Sequence, residues 1–163
     1  MLATGHRLGQ LKGMSRFQSH MQLALAEARA ARARGEVPVG AVIIGPEGQV
    51  LARDGNRTRA LCDPTAHAEM LVIRAACTAL GAERLSGCDL YVTLEPCAMC
   101  ATAISHARIR RLYYGAADPK SGGVAHGARV FTHPQCHHRP EVYDGIAAAE
   151  AESLLKSFFE QLR

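Results

Sequence analysis

The chain has 163 residues, of which 48% are hydrophobic and 21% charged, and a formal net charge of +4. That length suits one domain with one sizeable core, and the composition excludes disordered and fibrous classes. No apolar run approaches the ~18 residues of a membrane span, and no signal-type apolar stretch follows Met1, so a cytoplasmic protein with reduced thiols is expected.

Residues 1–16 carry Gly, His, Arg and Lys without periodicity. They are expected to form a disordered arm ahead of a single domain over 17–163, with Met14 as an alternative start. "SHMQLALAEARAARARG" (19–35) is rich in Ala, Leu and Arg, reads as a helix and stops at Gly35. "VGAVIIG" (39–45) reads as a buried strand, and "PEG" turns it into "QVLARDGN" (49–56), giving a hairpin. "DPTAHAEMLVIRAACTALG" (63–81) predicts a helix with Asp63 as N-cap, Pro64 at the first position, and Met70, Ile73, Cys77 and Leu80 as its apolar stripe. "CDLYVTLE" (88–95) predicts a strand, "PCAMCATAISHA" (96–107) a helix, and "IRRLYYGA" (109–116) a further strand. A Gly-rich loop follows over 118–129, then a short strand near 140–145 and a closing helix over 146–163. After the opening hairpin, strands alternate with helices, which predicts an α/β domain with helices on both faces of a mixed sheet. Sites in such sheets gather where strands end and helices begin.

Two motifs carry chemistry. "HAE" (67–69) and "PCAMC" (96–100) together offer one imidazole and two thiolates, a donor set suited to zinc. Cys97 and Cys100 are three apart, so they share one face of a helical turn. They also open a helix, where the macrodipole and free N–H groups favour thiolate. Three protein ligands leave a fourth tetrahedral position for water, and zinc lowers the pKa of such a water from ~15.7 to about 7. Glu69 lies two residues past His67, about 200° around an ideal helix, so it need not bind the metal and is placed to move the water's proton. The chemistry expected is hydrolytic deamination of an amidine-like ring carbon, the carboxyl protonating the neighbouring ring nitrogen and then the leaving ammonia. Either motif alone is weak; together they are the known H-x-E…P-C-x-x-C signature of zinc nucleobase deaminases. The competing structural reading is a Cys₂His knot with Glu69 as fourth ligand, although structural sites usually close with Cys or His. Cys62 reads as a plain loop or buried thiol.

At these residues the sequence closely resembles the bacterial tRNA adenosine deaminases of the cytidine deaminase-like superfamily. The resemblance runs from about Glu36 to the C-terminus, through "EVPVGAV" (36–42), "GNR" (55–57), "DPTAHAEM" (63–70), "LYVTLEPCAMC" (90–100), "ARIRRLYYGAADPKSG" (107–122) and "SFF" (157–159). It implies a three-layer α/β/α cytidine deaminase-like fold with a central mixed sheet of about five strands. It implies conversion of adenosine to inosine at the wobble position of a tRNA anticodon loop, typically of an arginine tRNA, by a homodimer with one zinc per subunit and no organic cofactor. Carried over by position, His67, Cys97 and Cys100 would bind zinc and Glu69 would shuttle the proton. Asn56 would hold the flipped base and Val39 line its pocket. Asp118 and Lys120 would meet the sugar and phosphates, and His133, Phe158, Phe159 and Arg163 would lie near the anticodon loop.

The residues themselves agree in part. An amide can donate and accept at a base edge, although turn chemistry alone would also explain Asn56 in "DGN". Adjacent Phe158 and Phe159 cannot both face one way on a helix, which leaves one available for stacking. Residues 104–140 hold five arginines and Lys120 against Asp118 alone, together with five histidines; this is either a solvated basic face or a phosphate-contacting one. Ala117 and "QCHHRP" (135–140) depart from the family pattern; Cys136, His137 and His138 invite a second metal, but no partner cluster is apparent. Two other readings remain: a deaminase of a free base or nucleoside such as guanine or cytosine, and a non-enzymatic zinc-stabilised RNA-binding module.

Overall fold

Residues 16–163 are described by the computed structural model; the expected arm and the alternative start at Met14 lie, apart from Arg16, outside them. The chain runs α1 (Arg16–Ala33), β1 (Gly40–Ile44), β2 (Val50–Gly55), α2 (Ala68–Leu80), β3 (Asp89–Leu94), α3 (Ala98–His106), β4 (Arg111–Ala116), a 3-10 turn (Val130–Thr132), β5 (Glu141–Tyr143) and α4 (Ala148–Gln161).

The five strands form one sheet in the order β2-β1-β3-β4-β5. β1 pairs antiparallel with β2 and with β3, whereas β3–β4 and β4–β5 are parallel. The parallel β3–β4 pair needs a crossover, and α3 supplies it. Side chains alternate across the sheet with the period of two that a strand imposes. Ala41, Ile43, Leu90, Val92, Leu112 and Tyr114 face α2 and α3, whereas Val42, Ile44, Tyr91 and Tyr113 face α1 and α4. The three-layer arrangement with a five-stranded mixed sheet is therefore the one that forms.

The outer layers dock through small side chains. Met21, Ala24, Leu25, Ala28 and Ala31 are wholly buried along one face of α1, at helical spacing. A Cβ at Gly40 would collide with the α1 backbone at Ala24 and Ala28, so glycine is what lets α1 lie directly on β1. The apolar stripe of α2 differs from the expected one. Ala68, Val72, Ile73 and Ala76 are buried, while Leu80 is 44% exposed. Met70, Cys77 and Leu80 lie at the rim of this helix, and Ala68, Val72 and Ala76 set its close approach to the sheet.

The start of α2 also differs. Asp63 is not its N-cap: Asp63 Oδ1 accepts from Thr65 N at 2.8 Å and Thr65 Oγ1 at 2.7 Å, closing a local turn. The helix begins four residues later than expected, at Ala68, with His67 in the N-cap position. Likewise α3 begins at Ala98, with Cys97 rather than Pro96 at its boundary.

Candidate metal centre

His67 and Cys97 occupy equivalent places. Each is the N-cap of its helix with extended backbone, at φ −71°, ψ 151° for His67 and φ −69°, ψ 173° for Cys97, and neither side chain caps its helix. Both point instead toward a common centre, with Cys100 reaching it from the first turn of α3. His67 Nδ1 lies 3.7 Å from Cys97 Sγ and 3.5 Å from Cys100 Sγ, and all three ligand atoms fall within 4.8 Å of one another. Tetrahedral zinc, with bonds of about 2.0–2.1 Å to nitrogen and 2.3 Å to sulfur, holds such atoms about 3.6 Å apart. The side chains fit zinc as they stand.

Because His67 lies outside the helix, the angular separation that the sequence suggested does not apply to Glu69. Its position arises otherwise: Glu69 is the second residue of α2, is 4% exposed, and its carboxyl meets the Cys100 thiol. Burial pushes the Glu69 carboxyl up to about 7, although the neighbouring imidazole pulls it down. A carboxyl poised there both takes and gives a proton near neutrality. Its bond with Cys100 holds Cys97 down at about 4 despite burial, while the bond to Cys97 and burial together raise Cys100. The bond to Cys97 raises His67, against burial.

Asn56 and Val39 flank this centre. Asn56 Oδ1 accepts from Ala68 N at 2.9 Å, and Asn56 N donates to Val39 O at 3.0 Å. The amide is thus locked against the first residue of α2. One lone pair of its oxygen is already engaged, whereas its NH₂ group makes no hydrogen bond among the described residues and is available to a base.

Asp118, Lys120, Phe159 and Arg163 line one cleft of about 670 Å³, with Val37 and Leu94 in its wall. Asp118 shapes the loop as well, its Oδ1 accepting from Lys120 N and Ser121 N. His133 is not brought there; it lines a separate hollow of about 260 Å³ beside Ser105 and Cys136. Phe158, expected among the RNA-contacting residues, is 8% exposed and packs edge-on against Phe159, which is 48% exposed. The helical turn sends only Phe159 outward.

Most of the basic stretch is occupied internally. Arg110 forms a two-pronged pair with Asp89, Arg111 pairs with Glu141, and Arg108 donates to His137 O. Lys120 has no such partner among the described residues. Cys136 contacts Ser105 Oγ and His138 O, and the His138 ring meets Ile109 O at 2.6 Å. The "CHH" segment thereby fastens to the end of α3, and no second metal cluster occurs among the described residues. Cys62 is an exposed loop thiol.

Two buried carboxylates escaped the sequence reading. Glu36, 1% exposed, accepts from Arg59 N, Ala60 N and Thr58 Oγ1, fixing the turn that leads to His67. Glu95, with no exposed side-chain surface, accepts from the loop after β4. Burial opposes their ionisation, but the converging donors outweigh it and hold both below the usual carboxylate range. The hint in the sequence was a lone Glu just before the run of β1 and another just after that of β3.

The sequence model of the family described as "Cytidine and deoxycytidylate deaminase zinc-binding region" matches residues 14–116. A tRNA-specific adenosine deaminase of Agrobacterium fabrum is 63% identical over 143 residues, 88% of this chain and 93% of that protein. One of Rickettsia bellii is 46% identical over 144 residues, 88% of this chain and 99% of that protein. A solved structure from work on A-to-I editing by tRNA:A34 deaminases at the wobble position of transfer RNA is 64% identical with a TM-score of 0.82. That match covers 84% of this chain and 99% of the other.

Proposed function

The chain belongs to the tRNA-specific adenosine deaminases, within the cytidine and deoxycytidylate deaminase zinc-binding family, and on that premise we propose how its own residues carry the reaction. The enzyme deaminates adenosine to inosine at the wobble position of tRNA and depends on zinc. The observation that carries the reading is His67 Nδ1 standing 3.5–3.7 Å from two thiols with the buried Glu69 carboxyl alongside.

His67, Cys97 and Cys100 hold one zinc per subunit. Zinc there supplies a Lewis acid that makes water acidic enough to ionise near neutral pH. Glu69 accepts the proton that water gives up as its oxygen bonds the ring carbon bearing the amino group. Glu69 passes that proton to the neighbouring ring nitrogen, then takes the second proton from the hydroxyl now on the ring carbon and hands it to the departing amine, so that one water enters and one ammonia leaves. The NH₂ group of Asn56 donates to the flipped base, and Val39 walls its pocket.

The polymer is recognised at the cleft. Lys120 and Arg163 meet phosphates, Phe159 stacks on a base, and Asp118 shapes the loop that presents Lys120. His133, from its separate hollow, extends the contact along the anticodon stem-loop, and Phe158 supports Phe159 from beneath. The substrate is an arginine tRNA, the working form a cytoplasmic homodimer.

The deciding experiment sequences inosine after incubating the purified protein with a panel of tRNAs, with free adenosine, cytosine and guanine alongside. Inosine at the wobble position of arginine tRNA alone supports the full reading. Turnover of a free base without editing of any tRNA overturns it.

A further inference from the structure

We propose that Glu95 is the positioning residue for substrate recognition: its buried carboxylate fixes the 117–127 loop over the start of α3 and so aims Lys120 into the cleft. The inference rests on the tRNA deaminase reading above, since it assigns Lys120 a target.

Glu95 follows β3 and precedes Pro96 and Cys97. Its Oε1 accepts from Ala125 N at 2.9 Å, His126 N at 2.9 Å and Val124 N at 3.3 Å. Its Oε2 accepts from Asp118 N at 2.9 Å and pairs with His126 Nδ1 at 2.8 Å. One carboxylate thus gathers five donors from both ends of the loop, and Lys120 lies between those ends. The loop is also stitched to the metal helix. Gly123 N donates to Pro96 O at 2.8 Å, and Gly122 bridges to Cys97. A Cβ at Gly122 would stand 2.5 Å from Glu95 Oε1, so only glycine lets the backbone pass so close. Two features exclude mere filling of space. The side chain is wholly buried, where an unpaired carboxylate would be prohibitive, and every group that meets it belongs to the one loop that carries Lys120.

The chemistry makes Glu95→Gln a sharp probe. Four of the five partners are backbone N–H groups that can only donate, and His126 Nδ1 donates to the carboxylate when it carries its proton there. A glutamine has one accepting oxygen, and its NH₂ must face either the three amides on the Oε1 side or Asp118 N and His126 Nδ1 on the other. One end of the loop is therefore released while the volume stays the same.

The experiment measures inosine formation on the edited tRNA for the wild type, Glu95→Gln, Lys120→Ala and the double variant. Zinc content and amide hydrogen exchange are followed in the same samples. With zinc retained, Glu95→Gln raises KM about tenfold and leaves kcat within about threefold. Exchange quickens at one end of the loop, either at Asp118 or at Ala125 and His126, but not in α1. Because Glu95 acts through Lys120, the double variant is no worse than the poorer single one, whereas independent effects would multiply. An unchanged KM, exchange that quickens throughout the chain, or multiplicative losses would each overturn the proposal. If Glu95→Gln does not fold, His126→Ala carries the same test: a KM raised about threefold with local exchange supports the proposal, and wild-type KM overturns it. Absence of inosine from the wild type would strike the functional reading itself, whatever the variants do.

Discussion

His67, Cys97 and Cys100 converge, half-buried to buried, at two helix starts, whereas Lys120, Phe159 and Arg163 stand in solvent on a loop and at a helix end. At the first region the backbone does the aiming. Two extended N-cap residues, where Ser, Thr or Asp would ordinarily serve the helix, turn their side chains toward a shared centre. The helix N-termini they leave uncapped favour negative charge, which suits thiolates. At the second region aiming is indirect, through Asp118 and Glu95 acting on the loop backbone. The difference teaches where each function is vulnerable: chemistry should fail through the ligands and Glu69, and recognition through charge and loop order.

The largest effect that sharpens this contrast is loss of a ligand. Cys97→Ala should abolish zinc retention and turnover together, checked by metal analysis and inosine sequencing; retained zinc at full stoichiometry would count against the three-ligand site. Next comes Glu69→Ala, which should lower kcat by about 10²–10⁴ with zinc retained. An active Glu69→Ala protein would remove Glu69 from the proton path and revive the reading of a non-enzymatic zinc module.

The two regions were also unequally legible in the sequence. Ligand identity follows from chemistry and short spacing, so "HAE" and "PCAMC" announced the donor set before any fold was known. The short buried runs of β1 and β3, set among helical stretches, likewise pointed to the layered α/β arrangement. What did not show was the helix boundary. Asp63 and Pro64 have the chemistry of a helix start, but Asp63 spends its oxygen on Thr65, and the helix waits until Ala68. Nor does composition reveal which basic residues are free. The stretch holding Arg110 and Arg111 reads equally as a solvated or a phosphate-contacting face until Asp89 and Glu141, distant in sequence, are seen beside them. Glu36 and Glu95 are invisible for a related reason: their partners are backbone N–H groups, which every sequence possesses.

A moderate effect tests the rim. Lys120→Ala should raise KM for tRNA roughly five- to tenfold, about 1 kcal/mol, with kcat little changed. The slope of log affinity against log salt should flatten by about 0.7, the contribution of one phosphate contact on a single strand. An unchanged slope would mean that Lys120 does not meet phosphate, and the comparison between floor and rim would need another cation.

The smallest effect concerns the floor. Glu36 is buried like Glu95 but meets a gentler donor set: two backbone amides and the Thr58 hydroxyl, which can accept as well as donate. Glutamine can satisfy that set, its oxygen taking the amides and its NH₂ donating to Thr58. Glu36→Gln should therefore cost only about 1 kcal/mol at pH 7, the difference between charged and neutral hydrogen bonds, and leave KM unaltered. The pH dependence follows from the depressed carboxyl. Burial works against ionisation, but the donors from Ala60, Arg59 and Thr58 win, so the folded pKa lies below the ordinary 4.5. The ionised group's contribution is fully present above that ordinary value and fades as pH falls through the folded one. Denaturant melts of wild type and Glu36→Gln should accordingly differ at pH 7 and draw together as pH falls below 4.5 through the depressed folded value. A gap that persists undiminished in acid would mean that the carboxylate's charge is not what holds the turn before His67.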